Sequence, residues 1–268
     1  MCTLVALHGL HPELPLLVAA NRDELYARRS SPPQLLRERP RIIGGRDEEK
    51  GGTWLGVSEH GFFVGLTNQR SAAAPDAALR SRGEVVLGAL AAPDLDGAVA
   101  WLRTLDGRAF NAFNLLLGDA RSLWVAYARR DQQRLELTTL SPGIWALPND
   151  RLGSLAFPKI DRAVALATPL STLPWSELVP RAQAMLADHA LPDAARLNDL
   201  AAPPWLPLEV GAQLQALCVH TPAYGTRSAT LLAFSGRGLE HYLHADGAPC
   251  QTPLLARDDL VASLRRSR

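Results

Sequence analysis

Cys2 directly follows the initiator methionine, which gives the chain a nucleophile close to its amino terminus. Removal of Met1 would leave a thiol and a free α-amine on one residue. An α-amine has a pKa of about 7.7–8.0, and a general base works best when its pKa lies near the operating pH. We therefore expect Met1 to be removed and Cys2 to be a nucleophile served by its own α-amine. The alternative is that Cys2 is a small apolar residue at the start of an edge strand.

A charged cluster, Arg22-Asp23-Glu24, follows an apolar run twenty residues later. Strands over Cys2–His8 and Leu16–Asn21, joined by a proline-rich turn, would bring this cluster beside Cys2. Arg22 would then lower the pKa of the thiol, and Asp23 would hold the amine. Successive side chains of a strand point to opposite faces, so only one of the two faces Cys2 unless a bulge intervenes. A solvated charge run at a strand end is the alternative.

The order of elements is strands, helices, strands, helices, strands, which favours an α+β fold with two antiparallel sheets and outer helices. The arginine- and proline-rich segment Arg28–Arg41 is expected to be a loop. Gly44–Gly52 is expected to be a polar loop, either a flap over the site or a surface excursion. Its glycines lack phosphate-binding spacing, so nucleotide binding is not expected there. Leu217–Thr221 is predicted to be a strand, and Ala201–Leu208, with three prolines, a linker.

Motifs spread along the chain resemble those of the NRDE family, also called the transport-and-Golgi-organisation family. This family resembles the N-terminal-nucleophile hydrolases, nearest the choloylglycine hydrolases and penicillin V acylases. Relatives in the family have been linked to secretory organisation, to lipid and acyl-CoA metabolism and to haem mobilisation. The motifs are Met1–Thr3, Ala20–Glu24, Gly44–Asp47, Gly52–Val57, Leu66–Arg70, Phe113–Asp119 and Tyr224–Ser228.

The resemblance implies an αββα sandwich formed by one domain over residues 1–268. It also implies that the side chain of Asn149 and the backbone N–H of Asn68 stabilise an oxyanion, and that Arg227 lies close to the nucleophile. In the choloylglycine family the arginine and aspartate that match Arg22 and Asp23 are separated in sequence, whereas here they are adjacent. Arg227 forming only an ion pair on a strand, and Asn149 only ending a turn, are the alternatives.

The composition is that of an ordinary globular chain, with 268 residues, 47% hydrophobic and 21% charged. This length permits one large domain or two. The net charge of +1 gives no sign of nucleic-acid or anionic-membrane binding. Three cysteines without framework spacing favour reduced thiols, and the amino terminus lacks a signal peptide or a membrane span, so we expect a cytoplasmic protein.

Two functions remain open at this stage. The first is an amidohydrolase or acyltransferase that uses Cys2 on a C–N amide or thioester bond of a small acylated substrate. The second is a non-catalytic carrier of haem or acyl-CoA on the same scaffold, with Cys2 or His8 as an axial haem ligand. No resident cofactor is expected. His8 and His11 form an isolated H-x-x-H pair and the other histidines are scattered, so no metal site is expected either.

Overall fold

The chain forms two antiparallel β-sheets, and helices cover the outer face of each sheet. A computed structural model describes residues 2–71, 74–193 and 208–265. The strands are β1 Thr3–His8, β2 Leu16–Leu25, β3 Ser30–Glu38, β4 Arg41–Asp47, β5 Leu55–Ser58, β6 Phe63–Asn68, β7 Phe113–Gly118, β8 Leu123–Ala128, β9 Glu136–Leu140, β10 Gly143–Leu147, β11 Tyr224–Ser235, β12 Gly238–Ala245 and β13 Leu255–Ala256. The helices are α1 Arg82–Leu90, α2 Leu95–Leu102, α3 Lys159–Ala167, α4 Trp175–Leu186, α5 Leu208–Gln213 and α6 Asp258–Arg265, with 3₁₀ turns at Gly107–Ala109 and Thr168–Ser171.

The strand order differs between the two antiparallel sheets. The six-stranded sheet has the order β10-β1-β2-β11-β12-β13, so it gathers strands from both ends and the middle of the chain. The seven-stranded sheet runs from β3 to β9 in sequence order. The central position of β1 and β2 places the amino-terminal motifs between strands that come much later in the sequence.

Three hydrophobic cores make this an αββα arrangement. The first lies between α3, α4 and the outer face of the six-stranded sheet. The second fills the space between the sheets and is closed at one end by α6. The third lies between the seven-stranded sheet and the helices α1 and α2. The expected α+β class with two helix-covered antiparallel sheets is confirmed.

The hairpin of β1 and β2 is confirmed, and its continuous apolar sequence has a simple cause. Leu4 and Ala6 point into the core between the sheets, while Val5 and Leu7 point toward the helices α3 and α4. Because both faces of the hairpin are buried, neither face needs polar residues, and an uninterrupted apolar run results.

The expectation of a loop over Arg28–Arg41 is wrong, because this segment forms β3 and the start of β4. Proline cannot donate a ladder hydrogen bond, but an edge strand and a bulge both tolerate it. β3 is the edge of its sheet, and its register with β4 shifts between Ser31 and Gln34, where Pro32 and Pro33 lie.

The predicted polar loop over Gly44–Gly52 is wrong in its first half, since Gly44 and Gly45 lie within β4. These glycines permit close packing: a Cβ on Gly45 would lie 2.3 Å from the ring of Trp54. Leu217–Thr221 is not a strand; its regular pairing is a single bridge between His220 and Gly225. Of the predicted linker Ala201–Leu208, residues 201–207 lie outside the described residues. No helix in the described part of the chain is long and apolar enough to cross a membrane.

Candidate active site

Cys2 lies at the end of the six-stranded sheet, immediately before β1. The register of β1 with β2 pairs Thr3 with Asn21, and the register with β10 pairs Leu4 with Leu147. Extending both registers sets Cys2 opposite Arg22 on one side and Asn149 on the other. Residues that are distant in sequence are therefore brought together by strand pairing.

The thiol of Cys2 is held in a protonated state by its surroundings. Its Sγ lies 3.9 Å from the backbone oxygen of Asp23, to which the thiol donates. Burial raises the pKa of the Cys2 thiol, and the charges of Asp23 and Arg22 act on it in opposite directions. The expected lowering by Arg22 is present, but burial outweighs it, so the thiol needs a base before it can attack.

Arg22 faces the space between the sheets, on the same side of β2 as Ala20. Its guanidinium lies 4.2 Å from the centre of the Trp54 ring, a cation–π contact. Burial lowers the pKa of Arg22, although a guanidinium stays charged at physiological pH. Its Nη1 is buried and has no hydrogen-bond partner among the described residues. Arg22 and Cys2 line the same cleft, so this cation has a donor to offer there.

Asp23 faces the opposite side of β2, as strand alternation requires. Its Oδ1 accepts a hydrogen bond from the hydroxyl of Thr226 on β11 at 2.7 Å, and its backbone oxygen accepts one from the hydroxyl of Tyr224 at 2.7 Å. The side chain is 3% exposed. Arg22 therefore reaches the cleft with its side chain, while Asp23 touches the thiol of Cys2 through its backbone oxygen.

Asn68 and Asn149 are joined by a hydrogen bond in which Asn149 Nδ2 donates to the backbone oxygen of Asn68 at 2.5 Å. Nδ2 carries a second hydrogen, and Oδ1 of Asn149 is buried without a partner among the described residues. The backbone N–H of Arg70 donates to the backbone oxygen of Asn149 at 2.7 Å, a second link between the two segments.

The backbone N–H of Asn68 points away from β7. Successive N–H groups of an antiparallel strand alternate between its two neighbours. The Leu66 N–H donates to Trp54 on the β5 side at 2.8 Å, and the Gln69 N–H donates to Ala112 on the β7 side at 3.0 Å. The Asn68 N–H therefore points the same way as the Leu66 N–H, away from β7. Asn68 and Cys2 both line the cleft.

Arg227 lies at a bulge of β11, beside the end of β2. The register of β11 with β2 shifts between Thr226 and Ser228, which makes Arg227 the extra residue of a bulge. Its Nη1 donates to the backbone oxygens of Leu25, Tyr26 and Arg28, at 3.1, 2.8 and 3.3 Å. Arg227 is not among the residues that line the cleft, and its guanidinium holds the turn after β2.

Arg82 lines the cleft with Cys2 and was missed by the sequence analysis. It is the first residue of α1, and burial lowers its pKa, while the charges of Glu24 and Cys2 raise it. Arg82 lies in Ser81-Arg82-Gly83-Glu84, a pattern that marks a helix start and carries no chemical signal of its own.

Lys159 is the second missed residue, and it is 1% exposed at the start of α3. Its Nζ has no hydrogen-bond partner among the described residues. Burial lowers the pKa of Lys159, and the charges of Asp23 and Cys2 oppose this effect. No sequence pattern marks this lysine, because its importance arises from burial.

The cleft has a volume of about 250 Å³ and an excess of positive charge. Arg28 is paired with Asp47 at 2.6 Å, whereas Arg22 and Arg82 form no ion pair with a carboxylate of the described residues. The charged lining residues are the cations Arg22, Arg28, Lys50, Arg80 and Arg82 and the acids Glu24, Asp47 and Asp76. The buried cation Arg22 and the half-buried cation Arg82 beside a thiol suit a substrate that carries a negative charge.

Solved structures with a similar fold include N-terminal-nucleophile hydrolases. An orthologue of N-acylethanolamine-hydrolyzing acid amidase from Caenorhabditis elegans aligns with a TM-score of 0.54 and 13% identity over 86% of this chain and 92% of its own. A mutant of conjugated bile acid hydrolase from Clostridium perfringens aligns with a TM-score of 0.50 and 12% identity over 97% and 93% of the two chains. These likenesses show the fold.

The sequence itself matches a narrower group. The Transport and Golgi organization protein 2 homolog of Homo sapiens is 29% identical over 242 residues, which cover 83% of each chain. The Mus musculus homologue is 29% identical over 249 residues, with the same coverage. The sequence model of the family Transport and Golgi organisation 2 matches residues 1–244. The chain therefore belongs to the Transport and Golgi organisation 2 family.

Proposed function

We propose that this protein is an N-terminal-cysteine hydrolase that acts on a C–N amide or thioester bond of a small acylated substrate. The observation that carries the proposal is the placement of Cys2 between Arg22 and Asn149 at the end of the sheet. Cys2 and Arg22, with its unused donor, line one cleft with Asn68, whose backbone oxygen accepts from the side chain of Asn149.

The proposed reaction begins with the α-amine of Cys2, which removal of Met1 would free. The neutral amine takes the thiol proton, and the thiolate attacks the carbonyl carbon. The carbonyl oxygen becomes negative and receives hydrogen bonds from the second hydrogen of Asn149 Nδ2 and from the Asn68 N–H. The tetrahedral intermediate collapses, the protonated α-amine gives its proton to the departing amine or thiol, and an acyl thioester remains on Cys2. Water then hydrolyses this thioester by the same steps.

The raised pKa of the Cys2 thiol supports an amine base in this scheme. The scheme also needs a group that holds the ammonium form of the amine. Asp23 lies beside Cys2, whose thiol donates to its backbone oxygen, and the hydroxyl of Thr226 fixes the orientation of its carboxylate. We propose Asp23 for that role and Arg227 for the positioning of the turn that follows Arg22.

Arg22 and Arg82 favour a substrate with an anionic group near the scissile bond. N-acyl amino acids and acyl-CoA thioesters meet this requirement, whereas neutral acyl amides do not. A cytoplasmic site of action, where thiols stay reduced, suits the three free cysteines.

A carrier of haem or acyl-CoA without turnover is the alternative, and the geometry favours it less. His8 lies at the far end of β1 from Cys2, about 20 Å away at the rise of a strand, so it does not serve the same cleft.

The test is hydrolysis by protein with a free Cys2 amine, across N-acyl amino acids, acyl-CoAs, acyl-homoserine lactones, penicillin V and conjugated bile salts. For the substrate that is turned over, Cys2→Ala should lower kcat by up to about 10⁶-fold, as loss of a catalytic nucleophile does. Cys2→Ser keeps the α-amine and a weaker nucleophile and serves as the matched control. Binding of haem with no turnover of any substrate would contradict the proposal and favour the carrier.

A further inference from the structure

Four side chains that could bind a metal ion converge outside the six-stranded sheet, away from the cleft. One ligand atom from each lies within 4.8 Å of all the others. They come from three separate segments: the residues just after α4, the segment before β11 and the turn after β12. The four residues are His189, Cys218, His220 and Cys250.

The separations within this cluster match the edges of a zinc tetrahedron. Zinc binds sulfur at about 2.3 Å and nitrogen at about 2.0–2.1 Å, so tetrahedral edges are about 3.8 Å between sulfurs and about 3.6 Å between sulfur and nitrogen. The two sulfurs are 3.7 Å apart. His220 Nε2 lies 3.6 Å from the sulfur of Cys218 and 3.2 Å from that of Cys250.

His189 completes the set with an oriented ring. Its Nδ1 lies 2.9 Å from the backbone oxygen of Cys218, which leaves Nε2 as the nitrogen with a free lone pair. A backbone oxygen that receives the second ring N–H is the usual support of a metal-binding histidine. The ring centres of His189 and His220 are 5.2 Å apart, and the Cys218 N–H donates to the Asp188 oxygen at 2.9 Å.

The two thiols gain little from facing each other as neutral groups. Their sulfurs lie 3.7 Å apart, a distance that allows no more than a weak hydrogen bond. A bound divalent cation makes their proximity favourable. Both thiols lose their protons on binding, and the two thiolates balance the charge of the cation. Two thiolates and two imidazoles in a tetrahedron select zinc among the common divalent ions.

We propose that His189, Cys218, His220 and Cys250 form a structural zinc site. Four protein ligands leave no open position, so the ion would stabilise the fold and would not carry out chemistry. The sequence gives no sign of this site because the ligands are widely spaced, with only Cys218 and His220 close together.

The zinc site would hold the segment that supports the catalytic end of the sheet. Val219 lies between two of the ligands, and its N–H donates to the hydroxyl oxygen of Thr226 at 2.8 Å. The Thr226 N–H donates back to the Val219 oxygen at 2.8 Å, and the Thr226 hydroxyl donates to Asp23. Asn21 Nδ2 donates to the Leu217 oxygen at 2.8 Å.

Elemental analysis of the full-length, tag-free protein tests the proposal. We expect about one zinc per chain in the wild type and less than about a tenth of that in Cys250→Ser and His220→Ala. His60→Ala and Cys2→Ser, outside the cluster, should retain zinc. Because Cys250 and His220 are exposed, their variants should still fold, and far-ultraviolet circular dichroism checks this.

Replacement of zinc by cobalt provides a second readout. Cobalt in a tetrahedral site with two thiolates should give sulfur-to-metal charge-transfer absorption that Cys250→Ser loses in part and the His60→Ala control keeps. Wild-type protein without zinc, protein that carries iron instead, or a native Cys218–Cys250 disulfide seen as a mass lower by two hydrogens would each overturn the proposal. None of these readouts depends on hydrolase activity.

Discussion

At the residue scale, function depends on which groups are buried without a full set of partners. Arg22, Asn149 and Lys159 each keep a buried polar atom that has no partner among the described residues. Such atoms are costly in a protein interior unless a ligand or a reaction uses them. Asn114, by contrast, donates to Thr67 and accepts from Arg129, which marks it as a structural residue.

Thr226 is the residue through which Asp23 is held, and its hydroxyl also accepts from Val219. Thr226→Val removes this hydroxyl with little change of shape. We expect the free energy of unfolding to fall by about 1–3 kcal/mol, the usual cost of leaving a buried group unpaired. We also expect kcat/KM to fall at least about tenfold, because the amine is positioned less well. Thr226→Ser should restore both the stability and kcat/KM. Wild-type activity in Thr226→Val would show that Asp23 has no role in catalysis.

Lys159 gives a pH-dependent prediction. Its pKa is lower in the folded than in the unfolded protein, so the unfolded state binds more protons and this residue's contribution to stability rises with pH. Lys159→Met should therefore be more stable than the wild type at neutral pH, by at least about 1 kcal/mol. The advantage should shrink as pH rises toward the unfolded pKa of about 10.4.

Denaturant unfolding of Lys159→Met and wild type from pH 6 to 10 measures this difference. Lys50, the other lysine, is exposed, and Lys50→Met should change stability by no more than about 0.5 kcal/mol at any pH. A Lys159→Met protein that is less stable than the wild type would contradict this prediction. It would show that contacts of the charged amine in the folded protein outweigh the cost of its burial.

At the element scale, most strands and helices could be predicted because burial on one or both faces leaves a plain pattern. The hairpin of β1 and β2, the hairpin of β5 and β6, and the strands β7 to β9 follow from apolar runs between turn residues. Asp94 caps α2 and accepts from the Gly97 N–H at 2.7 Å, whereas Ser81 makes no side-chain cap at α1.

The elements that could not be predicted depend on tertiary contacts. β3 contains adjacent prolines, and only its place at a sheet edge makes them tolerable. The bulge that turns Arg227 toward Leu25 and Tyr26 follows from pairing between strands some two hundred residues apart. No local pattern encodes either feature. The same holds for Lys159, whose burial depends on the packing of α3.

Gly45 lets β4 approach the tryptophan that supports Arg22. A Cβ at this position would lie 2.3 Å from the ring of Trp54. Gly45→Ala should therefore displace the ring, lower the free energy of unfolding by about 1–3 kcal/mol and weaken activity. Gly236→Ala, where no atom lies within 4 Å, is the control and should stay within about 0.5 kcal/mol of the wild type. Thermal unfolding measures both; equal stability of the two variants would mean that Trp54 moves freely.

At the scale of the whole molecule, the fold brings the amino terminus into the middle of a sheet. Cys2 precedes β1, and its neighbours on the two sides are the segments around residues 22 and 149. The helices α3 and α4 cover the outer face of that sheet. The family and the sandwich were predictable from dispersed motifs. The charge of the cleft and the convergence of His189, Cys218, His220 and Cys250 required the folded chain.

The α-amine predicts how activity depends on pH. A protonated amine cannot accept the thiol proton, so kcat/KM should rise with pH and level off above an apparent pKa of about 7.7–8.0. Chain that retains Met1 should be inactive throughout this range. The pH–rate profile of the processed protein measures the effect, and a profile that is flat between pH 6 and 9 would exclude the amine as the base.

Trapping of the acyl intermediate is the most direct test of Cys2 as the nucleophile. Processed protein is quenched in acid during turnover, its intact mass is recorded, and the modified peptide is sequenced by mass spectrometry. We predict a chain that lacks Met1 and carries one acyl group on Cys2, with no adduct on Cys2→Ala or on chain that retains Met1. Turnover without any adduct on Cys2, or an adduct confined to Cys218 or Cys250, would contradict the account.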